Sequence, residues 1–301
     1  MSLVNGKWNG PIIDNHFHLN RKGRFLSAAE DFKNAGGTGV VLVHCPNFSS
    51  PPTTPKGHRD SYFDTILMAE QVREKVGINV RVVLGPHPAA FAHQFELWFE
   101  EDGEKGAQRA IENYNDSIDV ALNFFQEGDA VAIGEVGRPH WKTSDEVFEL
   151  SNKLLEDTMR LSKREKIPLQ LHMEENGNQT YEDLESMAER VGLNPVFLVR
   201  HFAPADVSTS MVGKITPSVN LGKDAIGKLI ETCKFSDHGF MLETDYMDDP
   251  RRPGAVLGPK TVPKRTQQLA SLAEEKGLDE EMFFNMHQEL PNMIYGELNS
   301  P

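Results

Sequence analysis

The sequence has little cysteine and no long apolar run, and both absences exclude classes of protein. Cys45 and Cys233 are its two cysteines, which leaves neither a disulfide scaffold nor a cysteine-rich zinc site and is typical of a reducing, cytoplasmic setting. No run approaches the roughly 20 apolar residues that span a bilayer. The segment MSLVNGKWNGP lacks the basic-then-apolar pattern of a secretory signal. A soluble protein without membrane association is therefore expected.

Motifs of several enzyme classes are also missing. No glycine-rich phosphate turn follows the first predicted strand and no Walker pattern occurs, which disfavours an open, doubly wound nucleotide-binding sheet. No GxSxG elbow is present, which disfavours a serine hydrolase. Lys and Arg number 31 against 45 Asp and Glu, and the formal net charge of -14 disfavours a protein that binds by neutralising many phosphates. A small or phosphorylated substrate held by metal is compatible with this charge.

Short β-rich runs alternate with helical patterns along the chain. The eight runs are Pro11–Ile13, Gly39–Val43, Val80–Leu84, Ala130–Ile133, Pro168–Leu171, Val196–Val199, Lys214–Val219 and Phe240–Leu242. The helical patterns are Phe25–Ala35, Asp60–Lys75, Gln108–Phe125, Glu146–Arg164, Tyr181–Val191, Lys223–Thr232 and Lys264–Lys276, followed by a segment at Glu280–Tyr295 that Pro291 interrupts. This order predicts a parallel α/β fold, a (β/α)8 TIM barrel in a single domain over residues 1–301. The proline-rich stretch 46–57 is predicted to be a loop over the barrel mouth.

Side chains that can bind metal follow seven of the eight predicted strands. They are His16, His18, His44, His87, Glu135, His172, His201, Glu243 and Asp245. Catalytic groups of α/β barrels come from the carboxyl ends of different strands, so these side chains are expected at one rim. A lone histidine at a strand end is more often structural, but recurrence on successive strands favours a metal centre.

The spacing of these residues indicates how they can act. His16 and His18 are two residues apart in an extended chain, so they point to the same side and can chelate one ion. Glu135 can bridge two cations with its two oxygens, or pair with a basic residue such as Arg138. Asp245 can bind metal and accept a proton from metal-activated water, or cap the following loop.

The motifs DNHFH, GPHP, GEVG, LHME, RHF and ETD, in this order, resemble those of the TatD family of metal-dependent hydrolases in the amidohydrolase superfamily. The resemblance spans nearly the whole chain and implies a (β/α)8 barrel with a two-metal phosphoesterase site. It implies that one cation is held by His16, His18, Glu135 and Asp245, and the other by Glu135, His172 and His201. It also implies that His87 helps to hold a substrate phosphate, and that DNA ends are candidate substrates.

The departures from the family pattern lie on the substrate side. Where many members read GEIGLDYY, this chain reads GEVGRPHW, which adds Arg138 and His140, and both are predicted to contact the substrate. Where members have HxR, Glu174 stands in HME, and HFAPAD replaces the HCFSG that would admit a phosphate. The metal ligands are retained while the substrate contacts differ, so a divergent branch is expected.

These observations lead to one main functional hypothesis and two alternatives. The main hypothesis is hydrolysis of a phosphoester by two divalent cations, with Asp245 and Glu135 as catalytic residues. Zinc is expected first, and manganese, iron or magnesium also suit a set of histidine and carboxylate ligands. One alternative is a two-metal amidohydrolase or lactonase acting on a small molecule. The other is a metal-binding protein without catalysis.

Overall fold

The computed structural model describes residues 2–251 and 256–297. Its strands are β1 (Leu3–Val4), β2 (Lys7–Trp8), β3 (Ile13–Phe17), β4 (Gly39–Val43), β5 (Asn79–Leu84), β6 (Ala132–Gly137), β7 (Leu169–His172), β8 (Leu198–Ala203), β9 (Thr216–Asn220) and β10 (Met241–Glu243). Its helices are α1 (Leu26–Asn34), α2 (Pro55–Val76), α3 (Pro88–Asp102), α4 (Glu104–Glu127), α5 (Asp145–Glu165), α6 (Asn178–Val191), α7 (Thr209–Val212), α8 (Ala225–Thr232), α9 (Thr261–Lys276), α10 (Glu280–Phe284) and α11 (Leu290–Tyr295).

The main sheet has the strand order of an α/β barrel. Within residues 2–251 and 256–297, eight strands, β3 to β10, are hydrogen-bonded in chain order. The first and last of them also meet, because Phe17 forms a parallel bridge with Tyr246 and the His18 N–H donates to the Tyr246 carbonyl at 2.8 Å. β1 and β2 form a separate antiparallel hairpin. The predicted (β/α)8 class is confirmed.

Contacts group the chain into two compact units. The first unit comprises Met1–Leu42, Met68–Arg81 and His201–Pro301, and the second comprises Val43–Leu67 and Val82–Arg200. The single domain predicted for residues 1–301 stays a prediction, and positions 1, 252–255 and 298–301 lie outside the described residues.

In the first unit, the C-terminal helices cover apolar side chains of the hairpin and of β9 and β10. Trp8 stacks on Phe283 with ring centroids 5.2 Å apart and meets Phe284 edge-on at 4.9 Å. Val219 and Leu242 are fully buried in the same cluster. β10 is buried along its whole length and β9 up to the half-buried Asn220 at its end, as expected where helices cover a parallel sheet.

In the second unit, a glycine lets two neighbouring strand ends come together. Gly137, the last residue of β6, has φ 137°, and a Cβ atom there would lie 2.2 Å from the carbonyl oxygen of His172. Only glycine allows this approach. The N–H of Arg138 then donates to the same His172 carbonyl at 2.9 Å. The second glycine of GEVG therefore holds the end of β6 against the end of β7.

Helix α2 begins earlier than its sequence pattern indicates. It starts at Pro55, whose missing N–H is not needed in a first helical turn, and the Gly57 N–H donates to the Thr54 hydroxyl at 3.1 Å. Residues 55–57 of the predicted 46–57 loop are therefore helical. The proposed position of this loop over the barrel mouth stays a prediction.

Several other elements differ from the sequence interpretation, and β3, for example, is Ile13–Phe17 where Pro11–Ile13 was predicted. Helix α3 (Pro88–Asp102) was not predicted, although Pro88 directly after the capping residue His87 is a signal for a helix start. β8 begins at Leu198, two residues after the predicted Val196, because Pro195–Phe197 form a 3-10 turn. None of the helices in the described parts of the chain is both long and apolar enough to cross a membrane.

The last helical segment is joined to the sheet by a buried histidine. The predicted segment Glu280–Tyr295 is helical, but its irregularity is a π-helical turn at Asn285–Glu289 that precedes Pro291. On this turn, His287 Nδ1 accepts the Ile13 N–H at 3.1 Å, so the neutral ring carries its proton on Nε2, 3.0 Å from the Thr266 hydroxyl. Burial lowers the pKa of His287 to about 3.

We expect His287→Gln to be less stable than wild type at neutral pH, and to lose less of its stability than wild type does when the pH falls. The unfolded chain binds a proton at His287 below about pH 6.5, whereas the folded protein does so only near about pH 3, so the stability present above pH 6.5 is lost as the pH falls. This histidine makes the free energy of unfolding fall by up to about 1.4 kcal/mol for each pH unit below that range. Urea unfolding of wild type and variant at about pH 7.5 and about pH 5 checks this.

At neutral pH the substitution should lower the free energy of unfolding by about 1–3 kcal/mol. The difference in this free energy between wild type and variant should become smaller in acid. His238→Gln, at an exposed position, is the control and should follow wild type at both pH values. A gap that stays constant with pH would show that His287 does not titrate as assigned.

Candidate metal-binding site

Three histidines and a carboxylate form the first cluster, in the first unit: His16, His18, His201 and Asp245. The Nε2 atoms of His16 and His18 are 3.0 Å apart, so the two rings at the end of β3 converge. Asp245 Oδ1 lies 3.5 Å from His18 Nε2 and 3.9 Å from His16 Nε2. The His201 ring stacks on the His16 ring at 4.1 Å. The ligand atoms of His16, His201 and Asp245 all lie within 4.8 Å of one another.

A buried carboxylate holds His201 in place. Glu243 is fully buried and lies 3.4 Å from His201 Nδ1. Its oxygens also accept the Phe202 N–H at 2.8 Å and the Ser218 hydroxyl. A carboxylate on one ring nitrogen orients the other, as the outer partners of metal-binding histidines do. Glu243, which the sequence suggested as a ligand, thus contacts His201, a candidate ligand.

Asp14 has a similar supporting position on the other side of the cluster. Its carboxylate accepts the Thr244 hydroxyl at 2.7 Å, the Thr244 N–H at 3.0 Å and the His16 N–H at 3.3 Å. It is fully buried, and burial raises its pKa to about 8, with a smaller contribution from the charge of Glu243. Asp14 therefore ties the backbone of β3 to the residue that precedes Asp245.

Asp245 is held in an uncommon backbone conformation. Its φ is 51°, in the left-handed region that aspartate tolerates better than most residues. Burial acts to raise its pKa, but the hydrogen bond with His18 and the nearby imidazoles of His16 and His201 together keep the pKa below its ordinary value. The lowered pKa keeps the Asp245 carboxyl group ionised at neutral pH.

The second cluster, in the second unit, consists of His87, Glu135 and His172. Glu135 is almost completely buried, and its Oε2 lies 2.8 Å from His172 Nδ1 and 3.6 Å from His87 Nε2. The ligand atoms of all three residues lie within 4.8 Å of one another. Such a set of imidazole and carboxylate donors suits zinc and related divalent cations.

His87 differs from the other histidines because it also caps a helix. Its Nδ1 accepts the Ala89 N–H at 3.0 Å at the start of α3. The neutral ring then carries its proton on Nε2, the nitrogen that faces Glu135. A nitrogen that carries a proton donates a hydrogen bond and does not bind metal. In this tautomer the candidate ligands of the second cluster are therefore Glu135 and His172, and the substrate contact predicted for His87 stays a prediction.

Arg138 is buried behind the second cluster. Its guanidinium donates two hydrogen bonds to Glu174, at 2.9 and 2.6 Å, and others to Asp183 and to Asn152 at 3.0 Å. Its side chain is 1% exposed. The structure therefore places Arg138 in an ion-pair network, and its predicted contact with substrate stays a prediction.

His140 lies next to the second cluster. Its Nδ1 is 2.7 Å from Nε2 of His172, and its ring meets the Trp141 ring edge-on at 5.2 Å. Its predicted role in binding substrate also stays a prediction. His44, which the sequence places at the end of the second strand, contacts the Thr65 hydroxyl at 2.9 Å through its Nδ1 and lines a cavity of about 30 Å³.

Asp248 is a buried residue that the sequence interpretation did not single out. Its carboxylate accepts the N–H groups of Asn20, Arg24 and Phe25 at 2.8 to 3.1 Å. A Cβ atom at Gly23 would lie 2.3 Å from this carboxylate. Asp248 therefore anchors the loop that follows His18, and no local pattern in the sequence indicates this pairing.

Comparisons with known proteins agree with this picture. The family model for TatD related DNase matches residues 13–296. The chain is 31% identical over 293 residues to an uncharacterized protein of Methanocaldococcus jannaschii, with 95% of each chain covered. It is 25% identical over 170 residues to an uncharacterized metal-dependent hydrolase of the same organism, covering 56% of this chain and 55% of that one.

A solved structure supports the fold. The TatD-like protein of Archaeoglobus fulgidus aligns with a TM-score of 0.55 at 19% identity, covering 91% of this chain and 96% of that one. Its low identity makes it evidence for the barrel fold alone.

We expect Arg138→Met to destabilise the protein by about 2–4 kcal/mol, because it leaves Glu174 and Asp183 without their buried cation. Arg160→Met, which removes a guanidinium that is 54% exposed and paired with Glu156 and Asp157, is the matched control and should cost less than about 1 kcal/mol. Urea unfolding of the three proteins measures both effects. Equal costs for the two substitutions would contradict a structural role for Arg138.

Proposed function

We propose, from the premise that this chain belongs to the TatD related DNase family of metal-dependent hydrolases, that it hydrolyses phosphoester bonds with two bound divalent cations. The observation that carries the proposal is the pair of histidine and carboxylate clusters at strand ends. Buried carboxylates and imidazoles within 4.8 Å of one another are the donors that a divalent cation requires.

The ligand assignment follows the family pattern. We assign His16, His18, Glu135 and Asp245 to one cation, and Glu135, His172 and His201 to the other. Zinc is our first choice because imidazole nitrogens dominate the set, and manganese, iron or magnesium are the alternatives. Bound divalent cations supply Lewis acidity, which acidifies water and stabilises negative charge on phosphoryl oxygens.

The protein's own residues then have distinct tasks. Asp245 has a pKa below its ordinary value, so it is ionised at neutral pH and accepts a proton at a carboxylate oxygen from the attacking water. His87, with its proton on Nε2, donates to a phosphoryl oxygen of the substrate. Glu243 and Asp14 keep His201 and the backbone of His16 in position.

One observation favours a second candidate, a two-metal hydrolase of a neutral amide or lactone. Arg138 is the basic residue nearest to the GEVG motif, and its guanidinium is engaged by Glu174, Asp183 and Asn152. A substrate without negative charge does not need a basic contact. The two candidates share the cations and differ in the bond that is cleaved.

An assay of metal-reconstituted protein on end-labelled single-stranded DNA and on bis(p-nitrophenyl) phosphate tests the proposal. Asp245→Asn should lower kcat by at least about 100-fold, because it removes the proton acceptor. His16→Ala should abolish the activity and lower the bound metal. Metal content is measured on the same samples, and His238→Ala, at an exposed position, serves as the control.

Full activity in Asp245→Asn would refute the assigned proton acceptor. Two bound cations with no cleavage of either phosphoester, together with turnover of lactones or amides, would replace the phosphoesterase with the second candidate. A wild-type protein that binds no divalent cation would refute both.

A further inference from the structure

Both ring nitrogens of His172 have a protein neighbour at hydrogen-bond distance. Nδ1 lies 2.8 Å from Glu135 Oε2, and Nε2 lies 2.7 Å from His140 Nδ1. The His140 and His172 rings are 4.9 Å apart and inclined at 57°. The three side chains therefore form a continuous series of contacts from the buried carboxylate of Glu135 through His172 to the exposed His140.

The chemistry of a metal-binding histidine decides where the proton lies in this series of three side chains. One ring nitrogen binds the cation through its lone pair, and the other donates its N–H to an outer partner. Without a cation, Nδ1 of His172 donates to the Glu135 carboxylate at 2.8 Å, because an ionised carboxylate can only accept. A cation bound beside Glu135 would take the Nδ1 lone pair instead. The proton would then belong on Nε2, where Nδ1 of His140 is the acceptor.

We propose that His140 is a positioning residue, which accepts the Nε2 proton of His172 and thereby leaves Nδ1 of His172 free of hydrogen to bind a cation beside Glu135. This role rests on the proposed function for the cation, and on the 2.7 Å contact for the residue. It differs from the substrate contact that the sequence suggested for His140.

The segment RPHW, residues 138–141, is built to hold His140 at this place. The Trp141 ring stacks on the His93 ring at 5.2 Å and 17°, and the His140 ring meets Trp141 edge-on. On the other side of the segment, the Arg138 N–H donates to the His172 carbonyl and its guanidinium binds Glu174. Contacts of this one segment therefore hold both the backbone and the ring of His172.

Asparagine is the informative replacement at position 140. The Oδ1 atom of asparagine occupies nearly the place of histidine Nδ1, so it can accept the same proton, whereas alanine cannot. His140→Asn should therefore behave like wild type, and His140→Ala should not. His238→Ala removes an exposed histidine elsewhere and controls for histidine loss in general.

The first measurement is the tautomer of His172 in protein labelled with 15N-histidine, without and with zinc. Long-range 1H–15N spectra distinguish Nε2–H from Nδ1–H, and comparison with His172→Asn identifies the signals. We expect Nδ1–H without zinc, and with zinc an Nε2–H that exchanges slowly with water in wild type and His140→Asn but rapidly in His140→Ala. A proton that stays on Nδ1 in zinc-loaded wild type, or an Nε2–H with the same exchange rate in all three proteins, would overturn the proposal.

The second measurement is zinc affinity, from competition with a chromogenic chelator. His140→Ala should weaken the binding of one of the two zinc ions by about 10–100-fold and leave the affinity for the other unchanged. His140→Asn should bind both zinc ions as wild type does. Equal affinities in His140→Ala and wild type would contradict the role. A wild-type protein that binds no zinc, manganese, iron or magnesium would refute the proposed function. The contact of His140 with His172 is tested separately, because the 15N signal of His172 Nε2 in metal-free protein should differ between wild type and His140→Ala.

Discussion

The burial of ionisable side chains is the constraint on which both clusters depend. Asp14, Glu135 and Glu243 are at most 2% exposed, and a buried carboxylate without partners costs several kcal/mol. Asp14 and Glu243 are stabilised by hydroxyl and backbone N–H groups of neighbouring strands. Asp245 and Glu135 instead face imidazoles. Glu243 also contacts His201, but its oxygens accept from Phe202 and Ser218 as well, so Asp245 and Glu135 are the stronger candidates for a ligand role.

The second cluster shows how a local change of sequence can preserve a site while changing its surroundings. RPHW replaces the residues that many family members have after the glutamate, and HME replaces HxR. These two departures meet in the structure, because Arg138 forms a bidentate ion pair with Glu174. The departures from the family pattern at Arg138 and at Glu174 are therefore linked by a direct contact. Together they form a clamp between the ends of β6 and β7 that carry Glu135 and His172.

Function follows from the site rather than from the barrel, which hosts many reactions. The residues that would bind the cations keep the family pattern, and metal-dependent hydrolysis rests on them. The residues that would meet the substrate differ, since Arg138 is committed to carboxylates and Phe202, beside His201, is an exposed aromatic residue at φ 52°. The reaction class is thus better supported by the structure than the identity of the bond.

The sequence by itself determined the succession of the eight barrel strands, the fold class and the placement of histidines and carboxylates at or near strand ends, because alternation and strand position are local patterns that survive folding. Helix α3 escaped it. The sequence also indicated the pairing of His16 with His18, since two residues apart in a strand share a side. Only the tertiary structure decided that Glu243 supports His201, that Asp248 anchors the loop after His18 and that His140 meets His172. These contacts join residues 32 to 228 positions apart, and their formation depends on strand register and side-chain packing, which no local pattern encodes.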